Sequence, residues 1–63
     1  MEFKDKLKAA RLKLFLSQEA MAKELGVAFS TINRWENGSY SPNYKSQKAF
    51  HELCQKNNIE FKD

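Results

Sequence analysis

Apolar and polar positions alternate along most of the chain with the period of an α-helix. Helical spacing brings together the apolar residues Phe3, Leu7, Ala10 and Leu14 with Arg11, and lysines lie between these positions. This spacing predicts an amphipathic helix over about residues 2 to 14. The lysines form a basic flank that faces solvent.

The second helix is predicted to be short and to end in a sharp turn. Ser17 is a favourable N-cap, and the acidic Glu19 suits the positive end of a helix. The buried side of this helix is formed by Ala20, Met21, Ala22 and Leu25. A glycine at a helix end readily adopts the left-handed conformation, so we expect the chain to turn at Gly26 and to begin another helix within about three residues.

A third helix is predicted over about residues 29 to 36, with Ile32 and Trp35 as its apolar anchors. Its N-cap, Ala28, is a poor one because alanine has no side-chain acceptor. The residues that end this helix are Asn37 and Gly38.

A fourth helix is predicted to begin at Ser41 and Pro42, an N-cap followed by proline at the first helical position, and to run to about Lys56. Its inner side consists of Phe50, Leu53 and Cys54. Ile59 and Phe61 are expected to fold back as a short apolar tail or a fifth helical turn. The sequence therefore predicts an all-α fold, a compact bundle of four to five helices in a single domain spanning residues 1 to 63.

Two short helices joined by a tight glycine turn form the core of a helix-turn-helix, and the residue identities extend this likeness. Over about residues 7 to 54 the chain resembles the phage-repressor-like, or Xre-type, helix-turn-helix family. The matching positions are Arg11, Leu16-Ser17-Gln18-Glu19, Met21-Ala22, Leu25-Gly26-Val27, Thr31-Ile32, Trp35-Glu36-Asn37-Gly38 and Pro42. The resemblance implies a helix-turn-helix at about residues 18 to 36 that binds double-stranded DNA sequence-specifically through the major groove. It also implies a role as a repressor-like transcriptional regulator.

The outer face of the third helix carries the candidates for reading bases, at positions that match the reading positions of the resembled family. They are Phe29, Ser30, Asn33 and Arg34. Arg34 can hold guanine O6 and N7 with two hydrogen bonds, and Asn33 can pair with adenine N6 and N7 or contact phosphate. Phe29 either contacts a thymine methyl group or packs back on the second helix.

Candidates for contacts with the DNA backbone lie on either side of the third helix. Gln18 stands in the first turn of the second helix, where backbone N–H groups and the helix dipole attract phosphate. In the resembled family the loop after the third helix borders the DNA backbone, which adds Asn37, Ser39, Tyr40 and Asn43 as candidates. Lys45 is a further candidate at the backbone because its charge can steer DNA. Turn formation and capping are the alternative roles of the loop residues.

Two charged residues are expected to be structural. Arg11 lies on the apolar face of the first helix, and Glu36 follows Trp35 at the end of the third. The matching residues of the resembled family form a largely buried ion pair, and the resemblance implies the same pair here. We expect Trp35, Tyr40 and Tyr44 to pack within the fold and not to stack on single-stranded bases.

Charge and cysteine content narrow the classes of function. Eleven basic and eight acidic residues give a net charge of +3, which suits an anionic partner. A lone cysteine and the lack of a secretory signal predict a cytoplasmic protein. His51 and Cys54 are too few ligands for a metal site, so we expect no metal, no cofactor and no enzymatic activity. No apolar run reaches the roughly 18 residues of a membrane span, and no small-molecule ligand is evident.

Binding by a single domain leaves two questions open. One domain buries only about 600–1,000 Å² on DNA, so we predict a weak homodimer or a dimer formed on DNA, with the tail at residues 59 to 61 as one candidate face. The alternative function is a protein-interaction or antitoxin-like module that uses the helix-turn-helix as scaffold. Ala28 and Phe29 keep this alternative open, because an exposed aromatic side chain can anchor a protein groove.

Overall fold

The computed structural model describes residues 2–61, which form four α-helices and no strand. The helices are α1 (Phe3–Lys13), α2 (Gln18–Leu25), α3 (Phe29–Glu36) and α4 (Tyr44–Lys56). The predicted all-α fold is therefore confirmed, and the bounds of the first three helices lie within about one residue of those expected.

Local chemistry sets the junction between α2 and α3. Ser17 caps α2, because its Oγ accepts a hydrogen bond from the Ala20 N–H at 3.0 Å. Gly26 ends α2 in the left-handed conformation with φ of 69°, and the following N–H, that of Val27, donates to the Ala22 carbonyl at 3.0 Å. Ala28 caps α3 without a side-chain hydrogen bond. These contacts hold α2 and α3 in the tight arrangement that the sequence predicts.

The predicted start of the fourth helix at Ser41 and Pro42 is wrong. The N-cap is Asn43, whose Oδ1 accepts the Ser46 N–H at 2.8 Å, so α4 begins at Tyr44. Asparagine is as good an N-cap as serine, and its amide oxygen satisfies one of the unpaired N–H groups of the first turn. The Pro42 carbonyl accepts instead from the Gln47 side chain at 3.1 Å. The loop between α3 and α4 is therefore longer than predicted.

One apolar core lies between the helices. Its largest fully buried side chains are Leu7 from α1, Met21 from α2 and Ile32 from α3. The other buried residues are Ala10, Ala22, Trp35, Phe50, Leu53, Cys54 and Ile59. Phe3 joins α3 to α4, because its ring meets those of Trp35 and Phe50 edge-on at centroid distances of 5.7 and 5.2 Å.

The segment after α4 folds back on the core, which confirms the expected apolar tail. Its described residues form no fifth helical turn. A turn at residues 57–58 follows α4, and the described residues beyond it are not helical. Ile59 is buried, and the ring of Phe61 stacks on that of Phe50 at 6.3 Å. The tail therefore belongs to the core of the molecule, and little of its apolar surface remains free for a second copy.

Phe15, between α1 and α2, has an unusual backbone conformation for its type. Its φ of 56° lies in the left-handed region, and its side chain is 95% exposed. The left-handed conformation costs a residue other than glycine roughly 1–2 kcal/mol, and an exposed ring offsets little of that cost by burial.

Replacing Phe15 with glycine is expected to raise the free energy of unfolding by about 0.5–1 kcal/mol. Relief of backbone strain exceeds the roughly 0.5–1 kcal/mol that glycine loses through the entropy of the unfolded chain. Urea unfolding measures the change. The matched control is Lys13→Gly in the last turn of α1, which should lower stability by about 1 kcal/mol. A loss of stability in Phe15→Gly would show that the exposed ring supports the fold.

Candidate nucleic-acid interface

α3 divides its side chains between the core and solvent. Ile32 and Trp35 face the core, and the opposite side is formed by the four predicted base-reading residues, Phe29, Ser30, Asn33 and Arg34, all exposed. Phe29 is 52% exposed at the start of the helix, so about half of its surface is free for a partner. The structure thus leaves these four residues accessible, and their contacts with bases stay a prediction.

Arg11 and Glu36 form an ion pair between α1 and the end of α3. Arg11 Nε donates to Glu36 Oε2 at 2.7 Å, and Nη2 donates to Oε1 at 3.0 Å. A third guanidinium nitrogen, Nη1, donates to the Leu16 carbonyl at 3.0 Å. The two side chains are only 13% and 6% exposed. The hydrogen bond that Arg11 donates to Glu36 raises the pKa of Arg11 above its usual value, more than burial lowers it.

A line of amide side chains leads from this ion pair to the surface of α3. Gln18 Nε2 donates to Glu36 Oε1 at 3.2 Å, and Gln18 Oε1 accepts from Asn33 Nδ2 at 3.3 Å. Asn33 Oδ1 in turn accepts from Asn37 Nδ2 at 3.0 Å. We call Gln18, Asn33 and Asn37 the amide chain. Three residues that sequence reasoning named separately therefore form one connected group.

The connection could be anticipated only in part. Asn33 lies in α3 and Asn37 is the C-cap of that helix four positions later, a spacing at which polar side chains meet. Gln18 reaches them only because α2 packs against α3, and no local pattern in the sequence reports that contact.

The remaining candidates for backbone contacts do not join the amide chain through side-chain hydrogen bonds among the described residues. Ser39 and Tyr40 in the loop and Lys45 in α4 are exposed. The expectation that Tyr40 and Tyr44 pack within the fold is wrong, since they are 60% and 83% exposed. Tyr44 is the first residue of α4, and helical spacing places it away from the buried side formed by Phe50, Leu53 and Cys54. Trp35, by contrast, is 3% exposed, as expected of a packing residue.

Asn43 is committed to capping, which was the alternative role considered for it. Replacing it with alanine is expected to lower the free energy of unfolding by about 1 kcal/mol, because the Ser46 N–H loses its acceptor. Asn43→Ser, which keeps a side-chain acceptor, is the matched control and should stay close to the unmodified protein in urea unfolding. Equal stability of the two variants would assign Asn43 a role outside the fold.

Within residues 2–61, the side chains of His51 and Cys54 were the candidates for metal binding or nucleophilic chemistry. The described residues contain no cluster of three or more potential metal ligands. His51 is exposed, whereas Cys54 is buried, and burial raises the pKa of its thiol. Since the thiolate is the nucleophilic and metal-binding form, this environment opposes both chemistries. None of the helices in residues 2–61 is long and apolar enough to cross a membrane.

A helix-turn-helix with one helix exposed along its polar face defines a class of small DNA-binding domains. A family model described as helix-turn-helix matches residues 7–55. The HTH-type transcriptional activator BcrR of Enterococcus faecalis is 42% identical over 49 residues, which make up 78% of this chain and 24% of that protein. No solved structure gives a significant match. The chain belongs to the helix-turn-helix family, in agreement with the resemblance seen in its sequence, and it spans about a quarter of the relative's length.

Proposed function

We propose that this chain binds duplex DNA sequence-specifically, with α3 in the major groove, and thereby regulates transcription. The observation that carries the proposal is the division of α3 between a buried apolar side and an exposed side with Ser30, Asn33 and Arg34. Family membership and the relative's role as a transcriptional activator support it.

The exposed side chains contact either base edges or the DNA backbone in this proposal. Arg34 holds guanine with two hydrogen bonds, Phe29 contacts a thymine methyl group, and Ser30 bonds a base edge or a phosphate. Gln18, at the N-terminus of α2, contacts the backbone, as do the loop residues Ser39 and Tyr40 and, in the first turn of α4, Lys45.

Two copies on neighbouring half-sites complete the proposal, because one domain of this size contacts too few bases for useful specificity. The proposed dimer is weak in solution or forms only on DNA. Sedimentation of the free protein and of its complex with a palindromic duplex tests this, and a single copy in both samples would contradict it. We place the activity in the cytoplasm and expect no catalysis from the chain.

The test of DNA binding is its dependence on salt. The logarithm of the association constant should fall linearly with the logarithm of the salt concentration, with a slope of about −0.9 for each phosphate neutralised. Lys45→Ala should make the slope less steep by about one. Lys56→Ala, at the other end of α4, is the matched control and should leave the slope unchanged.

Exposure of Phe29 is the observation that favours the alternative, a protein-interaction or antitoxin-like module. A module that binds only proteins makes no contacts with phosphate, so salt would not weaken its binding through counterion release. Absence of duplex binding at low salt, or affinity that does not respond to salt, would therefore support it over the DNA-binding proposal.

A further inference from the structure

The amide chain has a direction that is set at its buried end. A carboxylate only accepts hydrogen bonds, so Gln18 must present its Nε2 group to Glu36. Its oxygen is thereby left to face Asn33, which donates to it, and the Asn33 oxygen accepts from Asn37. Reversal of any one amide would bring two N–H groups or two oxygens face to face. All three amides are therefore oriented by one carboxylate.

Asn33 keeps unused hydrogen-bonding capacity after these two contacts. A primary amide has two hydrogens and two acceptor lone pairs, and Asn33 spends one of each on Gln18 and Asn37. One donor and one acceptor remain on an exposed side chain. In the major groove adenine presents the complementary set, with acceptor N7 beside donor N6.

We propose that Glu36 acts through Gln18 as a positioning residue for Asn33, fixing which side of the Asn33 amide donates. Asn33 then reads adenine at one base position and in one orientation. Glu36 itself is 6% exposed and exerts this effect without touching DNA. The inference rests on the proposed function and adds to it a determinant of specificity that lies below the surface.

The experiment selects bound sequences from random duplexes with the whole chain. Asn33→Ala identifies the base position that Asn33 reads. Gln18→Met removes the link to Glu36 but leaves the ion pair with Arg11 in place, and should lower the adenine preference at that same position by about fivefold. Glu36→Gln should do the same where circular dichroism shows that it is folded. Gln55→Met, on the exposed side of α4, is the matched control and should keep every preference.

A spectroscopic measurement tests the chain without DNA. The side-chain amide resonances of Asn33 in the free protein should shift in Gln18→Met and stay unchanged in Gln55→Met. If Gln18 only supported the fold and made no bond to Asn33, these resonances would not shift.

Two results would overturn the inference while leaving the proposed function intact. The first is an unchanged adenine preference at the Asn33 position in Gln18→Met, whatever its overall affinity, because loss of a backbone contact weakens binding to all sequences alike. The second is a set of selected sequences that does not respond to Asn33→Ala although it responds to Arg34→Ala. Failure of the unmodified protein to select any sequence would instead defeat the proposed function.

Discussion

Glu36→Ala is expected to lower the free energy of unfolding by about 3 kcal/mol, because it leaves the largely buried Arg11 guanidinium, 13% exposed, without its partner. Arg11 would keep only its bond to the Leu16 carbonyl. A domain of this size is stabilised by only about 0.05–0.15 kcal/mol per residue, so the loss is a large fraction of the total. Urea unfolding followed by circular dichroism measures it.

Two controls separate the buried charge from the loss of side-chain volume. Glu24→Ala removes an exposed carboxylate from α2 and should change stability by less than about 0.5 kcal/mol. Replacing Arg11 and Glu36 together with methionine should recover most of the stability, since no unpaired charge remains. If Glu36→Ala lowered the free energy of unfolding by less than about 1 kcal/mol, water would be solvating the Arg11 guanidinium, and the ion pair would contribute little to stability.

Arg34→Ala is expected to weaken binding to the selected duplex by about 5- to 150-fold and to leave the stability of the fold unchanged. Arg34 is exposed, and within residues 2–61 its guanidinium makes no hydrogen bond or ion pair. All of its donors are therefore available to a base. Fluorescence anisotropy at one fixed salt concentration measures the affinity.

Arg34→Lys distinguishes base reading from simple charge. Lysine keeps the positive charge but lacks the planar fork that holds guanine O6 and N7 together, so this variant should lose preference at the same base position. Lys23→Ala, on the exposed side of α2, is the control for the removal of one positive charge. An equal loss of affinity for selected and random duplexes in Arg34→Ala would assign Arg34 to a phosphate.

Features that depend on neighbours in the sequence could be predicted from it. Ser17 and Gly26 set the ends of α2 through bonds to residues within a few positions, so their types alone indicated the helix bounds. The start of α4 could not be resolved, because Ser41 and Asn43 are both good N-caps two residues apart. Tyr44 could have been placed from the sequence, because helical spacing puts it on the side of α4 away from Phe50, Leu53 and Cys54.

For the candidate site too, the sequence predicted what depends on helical spacing but not what depends on the packing of one helix against another. Helical spacing separated the exposed from the buried side of α3, because Ile32 and Trp35 fix its orientation. The link from Glu36 through Gln18 to Asn33 depends on how α2 and α3 pack and on the rotamers of long side chains, which no one-dimensional pattern contains. Sequence reasoning thus found the members of the amide chain without its order or its direction.

Trp35 gives the molecule a built-in optical reporter. It is the only tryptophan in the chain, it is buried, and its Nε1–H has no hydrogen-bond partner among the described residues. The indole is therefore expected to emit as in an apolar environment. Its emission should stay blue-shifted when DNA binds to the outer face of α3, and should move to longer wavelength only when α3 leaves the core.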